Sequence, residues 1–317
     1  MSRLVNRPSV DLCNFIGAGV LAVLCLSDVC QAQEAKKKTF PEPQWVATDT
    51  SDANGAKYRT FVSKTLGGEV SYHIYLPPQY DDQPSQRFPV IYWLHGLGGN
   101  QRGGTGTFGK QAAEAMQAGA LRPALVVFVN GMVSSFYVDW ANGKRPMESV
   151  IVKDLIPHVD ATYRTIAKRE GRAIEGYSMG GWGAAHLGFK YPELFGTVVV
   201  DAGALLVQMG GPNLVAIYEG AFASDQERFD AEHPTQLVTK NVDQIRARQN
   251  IRVGCGGDDG LLPRNRALHE LLTTLNIEHE YEVVEGIDHN AGAYYAKLGP
   301  NGFAIYKKAF GSLSNFK

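Results

Sequence analysis

Arg172-Ala173-Ile174-Glu175-Gly176-Tyr177-Ser178-Met179-Gly180-Gly181 is the stretch from which the rest of this chain can be read. Residues 172–177 form a short run without polar alternation, as a strand buried on both faces requires, and 181–190 reads as a helix. Between them Gly176-Tyr177-Ser178-Met179-Gly180 fits G-x-S-x-G at a strand-to-helix turn. A serine hydroxyl is a poor nucleophile until a base takes its proton, and the sharp turn that exposes it needs small flanking residues. Gly176, Gly180 and Gly181 supply that room. A pattern with three fixed positions recurs by chance, so Ser178 gains meaning only if the chain also supplies an acid and a base.

Outward from this turn the same rhythm repeats. Short apolar runs stand at 89–94, 124–129, 197–200, 251–255 and 281–284, and helical patterns at 110–119, 147–161, 180–190, 263–275 and 293–310. Strands alternating with helices in this way predict an α/β fold with a mostly parallel central sheet and helices on both faces. Two earlier runs, 58–64 and 70–76, are rich in β-branched and aromatic residues around Gly67-Gly68, and predict an N-terminal antiparallel hairpin. The interval 201–250 is too long for a plain crossover and is expected to fold as a partial cap over the sheet's carboxyl edge. The folded domain is expected to span 57–313, preceded by a polar linker over 33–56.

Sheets that carry a serine at such an elbow place the acid and then the histidine after it, at the ends of later strands. Asp258-Asp259 follows the run ending at Cys255, and His289 follows the run ending at 284. Asp201 and Asp288 are further candidates for the acid, and chain geometry alone does not choose between Asp258 and Asp259. The oxyanion formed by attack on an ester needs preorganised donors worth about 3 kcal/mol each. These are expected from the amide of Met179 and from the loop His95-Gly96-Leu97-Gly98-Gly99, at the Leu97 amide. His95 precedes the serine and is read as shaping that loop; His73, His158, His186, His269 and His279 are read as structural. Trp182 and Trp140, with Phe136, Tyr137, Tyr294 and Tyr295, are the aromatic candidates for substrate contact.

Composition narrows the partners. A 317-residue chain with 44% hydrophobic residues and a formal net charge of -1 can bury one large core and offers no broad field for nucleic acid. Arg3 and Arg7, an apolar stretch over 16–26 and a small residue at Ala32 read as a secretory signal peptide over 1–32. The apolar run falls short of the ~20 residues needed to cross a bilayer, so no stable membrane insertion is expected. Cys13, Cys25 and Cys30 lie in that leader, which leaves Cys255 as a small core residue with no disulfide partner. The expected location is secreted or periplasmic.

Two other signals fail. The span 104–110 satisfies the first part of a Walker A loop, but Gln111 stands where a magnesium-binding Ser or Thr belongs. HExxH and paired-cysteine spacings are absent from the sequence, so no metal is expected.

Four further segments share a pattern with the turn. They are Tyr72-His73-Ile74-Tyr75-Leu76-Pro77-Pro78, Pro89-Val90-Ile91-Tyr92-Trp93-Leu94-His95-Gly96, Gly256-Gly257-Asp258-Asp259 and Gly286-Ile287-Asp288-His289. With Gly176 to Gly181 they make the chain resemble the esterase D and feruloyl esterase branch of the α/β-hydrolase fold. The resemblance implies a catalytic triad of Ser178, Asp259 and His289, with Asp259 selected by a Gly-x-x-Asp-x-Leu pattern ending at Leu261. It also implies hydrolysis of carboxylic esters without a cofactor, on small-molecule or polysaccharide substrates carrying acetyl or feruloyl groups. Acyl transfer by the same triad is the alternative. So is a thioesterase like S-formylglutathione hydrolase, against which the signal peptide argues. Asp201-Ala202-Gly203 departs from the serine-rich turn expected after its strand.

Overall fold

The computed structural model describes residues 44–210, 214–246, 248–311 and 313. The expected signal peptide over 1–32 lies outside them. Eight strands form one sheet in the order β1-β2-β4-β3-β5-β6-β7-β8. The strands are β1 (Lys57–Ser63), β2 (Gly68–Tyr75), β3 (Val90–Leu94), β4 (Leu125–Val129), β5 (Arg172–Tyr177), β6 (Thr197–Asp201), β7 (Asn250–Gly256) and β8 (Glu280–Val284). β1 and β2 are antiparallel, β2 joins β4 antiparallel, and every later pairing is parallel.

Burial explains why some strands alternate in sequence and others do not. β1, on the edge, alternates between exposed and covered residues, whereas β3, β4, β5 and β6 are buried throughout. Each inner strand feeds two cores. Val90, Tyr92 and Leu94 point to one face of the sheet, and Ile91 and Trp93 to the other. The helix Met179–Lys190 covers the first face, and the helices Phe108–Gln117, Ala291–Leu298 and Ala304–Gly311 cover the second.

Three expectations change. Residues 44–56 are no free linker: Asn130 Nδ2 donates to the carbonyls of Gln44 and Trp45, and Ser71 N donates to Trp45 O, so this strap is tied across the start of β2. The single helix expected over 293–310 is broken into Ala291–Leu298, a 3-10 turn Gly299–Phe303 and Ala304–Gly311, because Gly299 turns the chain at φ 53° and Pro300 cannot continue the first helix. Among its described residues the interval 201–250 contributes four helices, Val215–Phe222, Gln226–Glu232, Pro234–Lys240 and Val242–Arg246, and these do not simply cap the edge. Phe229 stacks on Trp182 and Asn241 donates to Phe189 O, so the middle helices flank Met179–Lys190, while Ala204 N donates to Ser178 O and brings only the start of the interval to the elbow.

Candidate active site

β5 ends at Tyr177, and the chain reverses into the helix Met179–Lys190 through Ser178 at φ 61°, ψ -115°. A non-glycine residue held there is strained, and the surrounding bonds keep it in place. Ser178 N donates to Asp201 O at 3.0 Å, while Ser178 O accepts from Trp182 N at 3.0 Å and Ala204 N at 2.9 Å. The flanking glycines are forced by contact. A Cβ on Gly176 would stand 2.1 Å from Gly180 O, and one on Gly180 would stand 2.0 Å from Leu94 O.

The loops after β7 and β8 bring the other two groups to this turn. His289 Nε2 lies 2.9 Å from Ser178 Oγ, and His289 Nδ1 lies 2.7 Å from Asp259 Oδ2. Asp259 Oδ1 accepts from Leu261 N at 2.8 Å, which fixes the carboxylate with one oxygen turned to the imidazole. The Asp259 side chain is fully buried, whereas that of His289 is 42% exposed. The ring of Tyr177 lies 5.2 Å from that of His289 and backs it against the sheet.

The other acids are placed elsewhere. Asp258 and Asp288 are exposed. Asp201 is buried beneath the elbow, 3.3 Å from Arg252 Nη2, and accepts from Tyr294 Oη at 2.9 Å. Burial first, and then the charge of Asp201, push the neighbouring Glu175 carboxyl well above the usual carboxylate range, so the Arg252 charge is balanced chiefly by Asp201.

The loop after β3 lies against the serine. A Cβ on Gly96 would sit 3.4 Å from Ser178 Cβ, which puts Leu97, on the next peptide, at the rim of the site. Met179 opens the helix on the other side, where the first N–H groups have no partner within the helix. His95 holds this loop: its Nε2 accepts from Gly131 N at 3.1 Å and its Nδ1 faces Gly96 O at 2.9 Å. A nitrogen that accepts and one that donates describe a neutral imidazole, in agreement with burial lowering the His95 pKa to about 4. Tyr137 Oη donates to His95 O and closes the arrangement from the loop after β4.

Trp182 and Trp140 are not at hand for a substrate. Trp182 is 0% exposed, stacked on Phe229 and edge-on to His233 and Phe136. Trp140 is buried under the Arg145 guanidinium and donates to Ser135 O. A tryptophan beside the motif in sequence faces away because the helix turns its side chain to the core. Sequence reasoning takes Tyr137 for a substrate contact, whereas its hydroxyl holds the loop through His95 O, and it misses Tyr177 and Asn265, which pins the turn after β6 by accepting from Gly203 N and donating to Gly203 O. No spacing rule marks any of these. Cys255 is buried, and its thiol is pushed up to about 12 by burial and by the Asp259 carboxylate.

A strained serine elbow on a mostly parallel sheet, with histidine and acid on later loops, defines the class: a protein of the α/β-hydrolase fold. The model of the Esterase family matches residues 63–310, and the chain belongs to that family. It is 26% identical over 261 residues to an esterase of Mycobacterium tuberculosis, covering 72% of this chain and 54% of that one; the chain thus spans about half the length of this relative. An acetyl esterase of Caldicellulosiruptor saccharolyticus is 27% identical over 242 residues, covering 71% of this chain and 89% of that protein. Among solved structures, a ferulic acid esterase superposes with a TM-score of 0.69 at 22% identity, over 80% of this chain and 98% of its own. An S-formylglutathione hydrolase from Agrobacterium tumefaciens superposes with a TM-score of 0.67 at 19% identity, over 83% of this chain and 98% of its own. At these identities the superpositions speak for the fold. Among the described residues no helix is long and apolar enough to cross a membrane.

Proposed function

We propose that this chain is a secreted serine carboxylester hydrolase that acts through an acyl-enzyme on acyl groups esterified to carbohydrate. The observation that carries this reading is the unbroken line from Asp259 through His289 to Ser178, at 2.7 and 2.9 Å, on a serine held at φ 61°. Ser178 Oγ attacks the ester carbonyl while His289 Nε2 takes its proton. Asp259 keeps the other proton on Nδ1 and stabilises the imidazolium that forms. The negative charge on the carbonyl oxygen falls to the amides of Leu97 and Met179, the second at the positive end of its helix. Collapse of the tetrahedral species expels the alcohol, which takes the proton from His289. Water then repeats the sequence on the acyl-enzyme and releases the acid. The half-exposed His289 leaves room for that water, which favours hydrolysis over transfer to a second alcohol.

Carbohydrate-linked esters are favoured by the acetyl esterase relative and by a 145-residue match, 31% identical, to an endo-1,4-beta-xylanase/feruloyl esterase of Xylanibacter ruminicola, covering 43% of this chain and 20% of that protein. Secretion rests on the charged start, the short apolar core and the cleavage step at Ala32. The test is hydrolysis of 4-nitrophenyl acetate, with the acyl group trapped on Ser178 by mass spectrometry. Ser178→Ala should lower kcat on the order of 10⁶-fold. A variant that kept substantial activity would overturn the assignment. N-terminal sequencing of exported protein should begin at Gln33.

A further inference from the structure

Asn265 is fully buried in the first turn of the helix Leu262–Thr274, and its carboxamide bonds to two loops of the site at once. Its Oδ1 accepts from Gly203 N at 2.9 Å, and its Nδ2 donates to Gly203 O at 3.1 Å and to Leu261 O at 2.9 Å. We propose that Asn265 is a positioning residue for the reaction at Ser178: it locks the turn that seats the nucleophile to the turn that seats the acid.

The turn after β6, Asp201-Ala202-Gly203-Ala204, grips the nucleophile by its backbone. Ser178 N donates to Asp201 O at 3.0 Å, and Ala204 N donates to Ser178 O at 2.9 Å. No side chain separates this turn from the helix that follows Ser178, since a Cβ on Gly181 would stand 2.7 Å from Gly203 Cα. The turn is strained, with Ala202 at φ 44°, and such a backbone persists only where its surroundings fix it. Asn265 fixes it by pairing with both polar groups of Gly203. On the other side, Leu261 N donates to Asp259 Oδ1 at 2.8 Å, while Leu261 O accepts from Asn265 Nδ2 in addition to its helix bond from Asn265 N. The residue that aims the acid is thus held by the side chain that braces the serine's turn.

The chemistry of the three bonds fits a carboxamide. Gly203 N needs an acceptor and the carbonyls of Gly203 and Leu261 need donors, and a carboxamide offers both on one rigid plane. A leucine of similar volume would leave the groups of Gly203 unpaired in a dry interior, and the turn would shift to find partners. A displacement of about 1 Å at a site of this kind can lower the rate on the order of 10²-fold. At 0% exposure Asn265 meets no substrate, so its removal should act on kcat and leave KM in place.

The proposal rests on the ester-hydrolase reading only for the substrate, so one arm of its test needs no ester. Asn265→Leu, Asn265→Ala and Asn265→Ser are compared with the full-length wild type, each below its thermal unfolding midpoint. Two quantities are read: the rate at which a fluorophosphonate probe phosphonylates Ser178, and kcat and KM for 4-nitrophenyl acetate. In whichever variants are folded, labelling rate and kcat should each fall about tenfold or more, with KM within about twofold. The kcat loss should be about threefold or more smaller in the Asp259→Asn background, because misaligning an acid that has lost its charge matters less. Wild-type labelling and kcat in a folded variant, a loss carried by KM, or a loss undiminished in the Asp259→Asn background would each overturn the positioning role. Failure of all three variants to fold would overturn it too, by making Asn265 a residue of the fold alone. Labelling of the wild type without ester hydrolysis would count against the ester-hydrolase reading instead, and the labelling rates would then decide the role of Asn265. A wild type that neither labels nor hydrolyses would overturn both.

Discussion

Among the described residues two histidine–carboxylate pairs share the same 2.7 Å length, and they differ in what the second ring nitrogen meets. In the pair at the elbow, Asp259 holds one nitrogen of His289 and the other meets the hydroxyl of Ser178. In the pair on the flank, His186 Nε2 meets Glu148 Oε2, and His186 Nδ1 faces the carbonyl of Glu232 at 2.9 Å. Both nitrogens of His186 face acceptors in a fully buried ring, so none is left to take a proton from a substrate. What separates a base from a brace is the second nitrogen's partner and its access to solvent. Glu148, His186 and Glu232 also have the makings of a metal-ligand set. Lys190 Nζ, however, lies 2.9 Å from Glu148 Oε1 and 2.7 Å from Glu232 Oε2, and holds the cation's place.

The sharpest way to break this comparison is to remove each carboxylate's charge and read kcat. Asp259→Asn should lose on the order of a thousandfold or more at neutral pH, because an amide no longer selects the tautomer with the proton on Nδ1. Asp258→Asn should stay near wild type. Asp201→Asn should cost stability rather than kcat, since it weakens the pairing of a buried arginine while Glu175 can ionise in its place. A larger loss at Asp201 or Asp258 than at Asp259 would move the acid to that residue.

Glu148→Gln should show the opposite profile, with kcat little changed and stability reduced. Burial on its own would raise the Glu148 pKa, but the hydrogen bond and charge of His186, with Lys190 and Tyr191, hold it at about 2. A folded-state value below the ordinary 4.5 means that this carboxylate stabilises the fold above about pH 4.5 and loses that contribution as pH falls toward about 2. The full effect is on the order of 3 kcal/mol. Urea unfolding at pH 7 and again at about pH 3 should show the gap between wild type and Glu148→Gln narrowing at the lower pH. A gap that is constant with pH would mean that Gln fails there through packing and not through charge.

The elbow pair is legible in the amino-acid sequence and the flank pair is not. The elbow at Gly176 to Gly180, and an acid and then His289 after it, follow from chain topology, because the carboxyl ends of parallel strands meet on one edge; the choice of Asp259 over Asp258 comes from the family resemblance alone. The sheet is legible for the same reason: strands buried on both faces leave unalternating runs, and the edge strand β1 alternates. Glu148, His186 and Glu232, in contrast, come from separate helices with no fixed spacing between them, and a histidine within an apolar helix gives no sign of its partner. The strap at 44–56 reads as a linker because its bonds run from backbone carbonyls to Asn130 and Ser71, and backbone groups have no signature in composition. Trp182 reads as a substrate contact only through adjacency in sequence, whereas its ring is fully buried and stacked on Phe229.

The smallest expected effect tests how much of the elbow site is shape alone. Tyr177 presents its ring to His289, and its hydroxyl is buried without a hydrogen-bond partner. Burial, followed by the charge of Asp259, pushes that phenol well above its ordinary range, so it stays neutral around neutral pH. A buried hydroxyl with no partner costs about 1–3 kcal/mol of desolvation, and its removal at constant ring shape should be neutral or stabilising by up to about 1 kcal/mol. Tyr177→Phe should therefore keep kcat within about twofold, leave the pH profile of kcat/KM in place and hold or raise the thermal midpoint. Tyr177→Ala, in contrast, removes the surface that backs the imidazole and should lower kcat about tenfold or more through lost orientation. If Tyr177→Phe fell as far as Tyr177→Ala, the hydroxyl would belong to the proton path between Asp259 and Ser178, and the line of three residues would have to be drawn as four.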